Sequence, residues 1–187
     1  MRIEFGTNDQ RFRLELAQIV DRYIGDRAGD QIVQIAKLAP KYPHSICVVQ
    51  EAIPGRQETF RFNCYQHSFS LVDIESVDRI MRTHGSVFPG REFVQFLIDT
   101  RLHEIFVEEA KDADHVIYAA GSRIEHAGIV SRGMIESKWG LAHLWCHRVY
   151  EVPWGYGNVV RVFSRFPQED SVRAFLDYAA KRGVIGP

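Results

Sequence analysis

The sequence predicts an α+β domain in which N-terminal helices pack on an antiparallel sheet, and three observations carry that prediction. Apolar residues recur at helical spacing through the N-terminal third and in three later stretches. Between His115 and Phe166 the pattern changes to short apolar runs separated by turn residues. Breaks are local, at Ala39-Pro40, Pro54-Gly55, Phe88-Pro89-Gly90 and Pro153-Trp154-Gly155, with no linker, repeat or low-complexity tract. The 187 residues therefore read as one domain.

From Asn8 to about Ile24 the residues Phe12, Leu14, Leu16, Ile19, Val20 and Ile24 mark a first helix, with Asn8 or Asp9 as N-cap. Gln31 to Leu38 is a shorter helix closed by Pro40, whose ring disfavours helical geometry at the residue before it. Ser45 to Glu51 has strand character, and Arg56 to Asn63 is an extended approach to the next helical stretch. Helical spacing returns from Cys64 to about Arg82, through Phe69, Val72, Ile74, Val77, Ile80 and Met81, and again from Arg91 to about Lys111. Strands are expected at His115 to Ala120, at Ile124 to Val130, at Met134 to Trp139 after a Ser131-Arg132-Gly133 turn, and at Asn158 to Phe166. Asp170 to Arg182 closes the chain as a helix. One face of the sheet is expected to be covered.

Composition narrows the function. Apolar residues make up 45%, enough for a real core, and the 23 basic against 24 acidic residues create no global field to recruit nucleic acid or an anionic membrane. Apolar runs fall far short of the roughly 18 residues a membrane span needs. The N-terminus has acids where a secretory signal carries a basic and then an apolar region. Three cysteines, Cys47, Cys64 and Cys146, suit a reducing compartment better than a disulfide framework, so a cytoplasmic location is expected. The 14 glycines form neither a Walker loop nor a dinucleotide fingerprint, and no cofactor is expected.

Cys64 lies where an extended segment becomes a helix, and the unpaired N–H groups and dipole of a helix start favour a thiolate. It is the candidate nucleophile. His126, on a strand beside the small residues Ala127 and Gly128, is the candidate base, since a strand gives an imidazole a fixed direction. If the hairpin after that strand has a two-residue loop, strand alternation turns Ser137 to the same face as His126 and turns Glu136 and Lys138 away. A bulge or a longer loop would favour Glu136 instead. Gln57 or Asn63 is a possible extra oxyanion donor, with helix capping the commoner job for Asn63.

The order Asn63-Cys64 then helix, Asp114-His-Val-Ile-Tyr118, His126-Ala-Gly-Ile-Val130, Ser137-Lys-Trp-Gly140, and Pro153 with Tyr156-Gly157 resembles the papain-like cysteine hydrolases of the NlpC type, including relatives with a Ser-Lys-x-Gly signature. The resemblance implies a papain-like core over residues 61–166 behind a helical N-terminal extension, residues 1–50. It implies a catalytic set of Cys64, His126 and an orienting polar residue, Ser137 or Glu136, acting on an amide bond of a peptide or peptidoglycan stem through an acyl-enzyme. Cell-wall members generally carry His, Asn, Gln or a carboxylate at the orienting position, which motivates the competing reading of an inactive binding or regulatory module on the same fold. A thiol-dependent transferase or deamidase would use the same pair.

Other constellations carry less chemistry. His143, Cys146 and His147 fall within one helical turn if that stretch is helical, a spacing that would serve zinc only with a fourth ligand from elsewhere. His67 lies three residues past Cys64 on the expected helix. Trp139, Trp145, Trp154, Tyr150 and Tyr156 are expected mainly in the core.

Overall fold

The computed structural model describes residues 3–52 and 62–185. The chain is α+β, with helices α1 (Gln10–Arg22), α2 (Ala28–Ala36), α3 (Cys64–Ser68), α4 (Glu75–Thr83), α5 (Arg91–Thr100) and α6 (Gln168–Lys181). The strands are β1 (Cys47–Gln50), β2 (Glu104–Ile105), β3 (His115–Ala120), β4 (Arg123–Ser131), β5 (Met134–Lys138), β6 (Leu144–His147) and β7 (Val159–Phe163). They form one sheet in the order β1-β6-β5-β4-β3-β7-β2, and every neighbouring pair is antiparallel.

Helix α1 begins where the sequence indicates, with the Asp9 carboxylate accepting the Phe12 N–H at 3.0 Å. Phe12, Leu16 and Val20, four residues apart, form its buried stripe, each worth about 2 kcal/mol of removed apolar surface. They pack with Ile35 of α2 against Val116, Tyr118, Val130, Ile135 and Val162 of the sheet. The opposite face carries Ile117, Ala127 and Phe163, covered by Tyr65, Phe69, Val77, Phe93, Leu97 and Phe175 from helices α3 to α6. Both faces are therefore covered, where the sequence pattern led to an expectation of one. The sign of this lies in β3, whose continuous apolar run is typical of a strand buried on both sides.

Several elements differ from the sequence expectation for local reasons. The single helix expected over residues 64–82 is two, α3 and α4, because Ser70 and Asp73 take positive φ of 53° and 56° and the Leu71 N–H closes back on the Gln66 carbonyl at 2.8 Å. Helix α5 stops at Thr100, with the amides of Arg101 and Leu102 both returning to the Leu97 carbonyl at 2.8 and 2.9 Å, and β2 comes next. Residues 144–147 form strand β6 rather than a helical turn. The extended approach expected at Arg56 to Asn63 lies mostly outside the described residues, as does Gln57.

The β4–β5 hairpin turns through Arg132 and Gly133, at φ of 52° and 81°, so two residues link the pair Ser131–Met134. Beyond it β5 presses closely on β4. A Cβ added at Gly128 would lie 2.7 Å from Ile135 Cγ2, 2.8 Å from the Glu136 carbonyl oxygen and 3.0 Å from Ser137 Cβ. Gly128→Ala is therefore expected to destabilise the fold by about 1 to 3 kcal/mol, the usual cost of overpacking, read as a lowered urea midpoint with an unchanged m-value.

Candidate active site

Helix α3 is short and strongly capped. The Asn63 side chain accepts the Gln66 N–H at 2.8 Å while Gln66 Oε1 accepts the Asn63 N–H at 3.1 Å, and Asn63 Nδ2 donates to the Pro89 carbonyl at 2.9 Å. Asn63 is thus a cap, fully used. The other end of α3 is tied to the sheet. The Phe166 N–H donates to His115 Nε2 at 3.0 Å, so Nδ1 carries the ring proton. Nδ1 then faces Ser68 Oγ at 3.3 Å, and Ser68 donates to the Gly128 carbonyl at 3.0 Å.

This anchoring sets the start of α3 against β4 where its neighbour leaves. The regular β4–β5 pairing ends at Ile129–Glu136. Val130 bonds on its β3 side, donating to the Asp114 carbonyl and accepting from the Ala113 N–H. Alternation therefore turns the Ala127 N–H toward β5. The Cys64 sulfur faces that N–H and those of Tyr65 and of Cys64 itself at the helix start, all of which favour its charged form. The sulfur of the nucleophile candidate thus sits against the peptide that follows His126, while Cys64 packs with the α3–α6 cluster and the His126 side chain leaves β4 on the other face, the one that carries Tyr118.

The electrostatics oppose the expectation of a low thiol pKa. Burial pushes Cys64 up to about 11, outweighing the three amides and the positive charge of Lys138, all of which act in the lowering direction. Some solvent exposure remains at Cys64. Lys138 is the cation that faces it. Its ammonium donates to the Ala142 and Gly140 carbonyls and lies 5.3 Å from the Phe62 ring centre, and burial lowers its pKa to about 8 against the pull of Cys64.

His126 projects to the α1 side of the sheet, opposite its strand partner Tyr118, and stacks on Tyr156 with ring centres 3.9 Å apart. Burial, followed by the charges of His147 and His67, holds its pKa well below the ordinary histidine value. Nε2 is buried without a hydrogen-bond partner, and among the described residues no hydrogen bond joins His126 to Cys64. Tyr156 links the two, since it lies against the imidazole and feels the charge of Cys64. Its loop is held by Arg13 of α1, which is fully buried. Arg13 donates to the Val152 carbonyl at 3.1 Å, to the Gly157 carbonyl and to Asn8 Oδ1 at 3.0 Å.

The two-residue loop places Ser137 on the His126 side, as alternation requires, but its hydroxyl bonds elsewhere. His147 Nδ1 donates to the Arg148 carbonyl at 2.7 Å, leaving Nε2 to accept from Ser137 Oγ at 2.8 Å, and Ser137 accepts from the Trp139 indole at 3.0 Å. Glu136 faces the other side, opposite Cys146. His143 is also committed, Nε2 to the Ala28 carbonyl at 2.8 Å and Nδ1 to the Ala52 N–H at 2.9 Å. With Cys146 on the opposite face of β6 from His143 and His147, the zinc constellation does not assemble, and among the described residues no group of three His, Cys, Asp or Glu is arranged to hold a metal. No helix among them is long and apolar enough to cross a membrane.

A cleft of about 460 Å³ is bounded by Tyr65, Phe88, Gly90, Arg91, Glu125 and Tyr178, and neither Cys64 nor His126 is among the residues that line it. Tyr65 and Glu125 are the chain neighbours of Cys64 and His126. The Arg91–Glu125 ion pair, at 2.7 Å, and the Arg182–Glu92 pair, at 2.8 Å, give the cleft charge of both signs. No protein-family model matches this sequence, and no curated protein or solved structure matches it either.

Cys64 is protonated across the neutral range and loses its proton only as pH rises toward 11, so its alkylation rate at pH 8.5 should be on the order of a hundredfold below that of an ordinary thiol. That rate should climb without a plateau to pH 9.5, and fall further in Lys138→Met; iodoacetamide labelling read by mass spectrometry measures both. Burial lowers the pKa of His115 and of His147 to about 4 from 6.5. Between these values the unfolded chain binds more protons, so stability is full above about pH 6.5 and is lost as pH falls toward 4, by about 3 kcal/mol per group. Urea midpoints should decline over that window, less steeply in His115→Gln.

Proposed function

We propose that the protein is a papain-like cysteine hydrolase of the NlpC type that cleaves an amide bond, with Cys64 as nucleophile and His126 as base. The observation that carries this reading is the position of the Cys64 sulfur at the parting of β4 and β5, on the free N–H of Ala127 and one residue from His126. The cleft lined by Tyr65 and Glu125, the chain neighbours of the pair, is the size of a small-ligand site and bears charge of both signs.

At rest the pair is a thiol and a neutral imidazole. As the sulfur attacks the carbonyl carbon, His126 takes the thiol proton and later gives it to the departing amine; water then hydrolyses the thioester. The amides of Cys64 and Tyr65 are the donors available to the oxyanion, because Asn63 already occupies that of Gln66. The substrate class, a peptide or peptidoglycan stem, rests on the sequence resemblance. Ser137 orients the His126 region through His147 and Trp139 rather than by bonding His126.

A second reading is favoured by the lack of a hydrogen bond to His126 Nε2 among the described residues and by the engagement of Ser137 with His147: an inactive binding or regulatory module. Amine release from soluble muropeptides and a peptide library separates the two. For the hydrolase, turnover should vanish in Cys64→Ala and fall by about 10² to 10⁴ in His126→Ala, with both variants still folded. Amine release equal in Cys64→Ala and wild type, or binding without turnover in both, would reject it. Identification of the product as a free acid rather than a transferred acyl group distinguishes hydrolysis from transfer.

A further inference from the structure

Cys47 and Cys146 lie outside the proposed catalytic centre and are brought together by strand pairing. Cys47 opens β1, the edge strand of the sheet, and its Cα partner on β6 is Cys146. Directly opposed residues on antiparallel strands have Cα atoms about 4.5 or 5.5 Å apart, within the roughly 4.4 to 6.8 Å that a disulfide spans. Their side chains leave the sheet on the same face, and the two thiols are near enough to act on each other's charge. Cys47 is exposed and Cys146 half-buried, so one sulfur is reachable by a reagent while the other waits behind it. The third cysteine, Cys64, is on another element, and among the described residues no group of three His, Cys, Asp or Glu is arranged to hold a metal there.

We propose that Cys47 and Cys146 are a redox-active dithiol that exchanges with a low-molecular-weight disulfide of the glutathione class, closing a covalent link between β1 and β6. The Cys47 thiolate attacks one sulfur of oxidised glutathione, forming a mixed disulfide and releasing one glutathione thiolate. The Cys146 thiolate then attacks the Cys47 sulfur, forming the Cys47–Cys146 bond and expelling the second glutathione thiolate. The two thiol protons of the protein end on the two released glutathiones, so the protein loses two electrons and the oxidised reagent gains them. The product staples an edge strand whose pairing is already interrupted by a bulge between Val48 and Gln50.

The site does not depend on the hydrolase reading, and its test is run on the full chain carrying Cys64→Ala, which removes that chemistry. The protein is equilibrated over a series of reduced-to-oxidised glutathione ratios, free thiols are blocked with maleimide, and tryptic peptides are read by mass spectrometry without reduction. The expected result is a Cys47–Cys146 cross-linked peptide pair whose yield rises with the oxidised fraction, with a higher melting temperature for the cross-linked form. Cys47→Ser and Cys146→Ser should each abolish the cross-link, and Cys146→Ser should instead accumulate the glutathione adduct on Cys47. Two free thiols at every ratio, or a stable adduct on Cys47 in the parent protein with no cross-link, would overturn the proposal. Wild type with Cys64 present guards against a misfolded variant: a disulfide from Cys64 to either partner there counts against it as well.

Discussion

The parting of β4 from β5 is the feature on which the rest of the site depends. Within a central strand every peptide N–H has a partner, and an unpaired buried one costs about 1 to 3 kcal/mol. Pairing ends at Ile129–Glu136, which leaves the Ala127 N–H on the β5 side without its ladder acceptor. The thiol of Cys64 fills the gap, held there by the capping of α3 at Asn63 and by the Ser68 anchor to Gly128 and His115. Gly128 adds the second condition, since any side chain there would push β5 off β4 at the last paired residues.

Two buried bases with no carboxylate partner among the described residues support this arrangement from opposite sides. Arg13, fixed to backbone carbonyls of the loop bearing Tyr156, sets the ring that covers His126. Lys138, fixed to the Ala142 and Gly140 carbonyls, closes the loop after β5 and turns its charge toward Cys64. Each spends its donors on carbonyls that a loop would otherwise leave buried and unpaired. Lys138 thereby fixes the loop at Trp139-Gly140 and at the same time acts on the charge of the sulfur.

What the sequence displays and what it hides divides along physical lines. The α+β class, the start of α1 at Asp9 and the capping role of Asn63 come from periodicity and local hydrogen-bond chemistry, which short segments encode, whereas the length of the β4–β5 loop stays open in the sequence and is decided by where Ser131 pairs with Met134. The break between α3 and α4 depends on positive φ at Ser70 and Asp73, and neither residue announces it as glycine does. Strand β6 was hidden because Leu144 to His147 alternates aromatic, thiol and imidazole rather than plain apolar and polar side chains. Cys64 and His126 could be chosen from their placement at a helix start and on a strand. Their charge states could not, because burial is a property of the packed molecule, and here it overrides the dipole of a one-turn helix. Tyr156 reaches His126 across 30 residues of sequence and Arg13 reaches the loop of Tyr156 across 144, separations that no local pattern signals.

The proton inventory of the site has a directional consequence. Near neutral pH Cys64 is a thiol, His126 an uncharged imidazole and Lys138, with a pKa of about 8, mostly an ammonium. The resting cluster therefore carries positive charge with no anion to balance it among these three groups, and two helix-start amides add partial positive charge at the sulfur. A preformed thiolate would neutralise that field before any substrate arrived, whereas a protonated sulfur keeps it in place. On the hydrolase reading, the field then acts on the negative charge that develops as the sulfur loses its proton to His126 and the carbonyl becomes an oxyanion. Burial makes the ground-state thiolate costly, and the same low-dielectric surroundings strengthen the attraction of Lys138 and the amides for charge formed during attack.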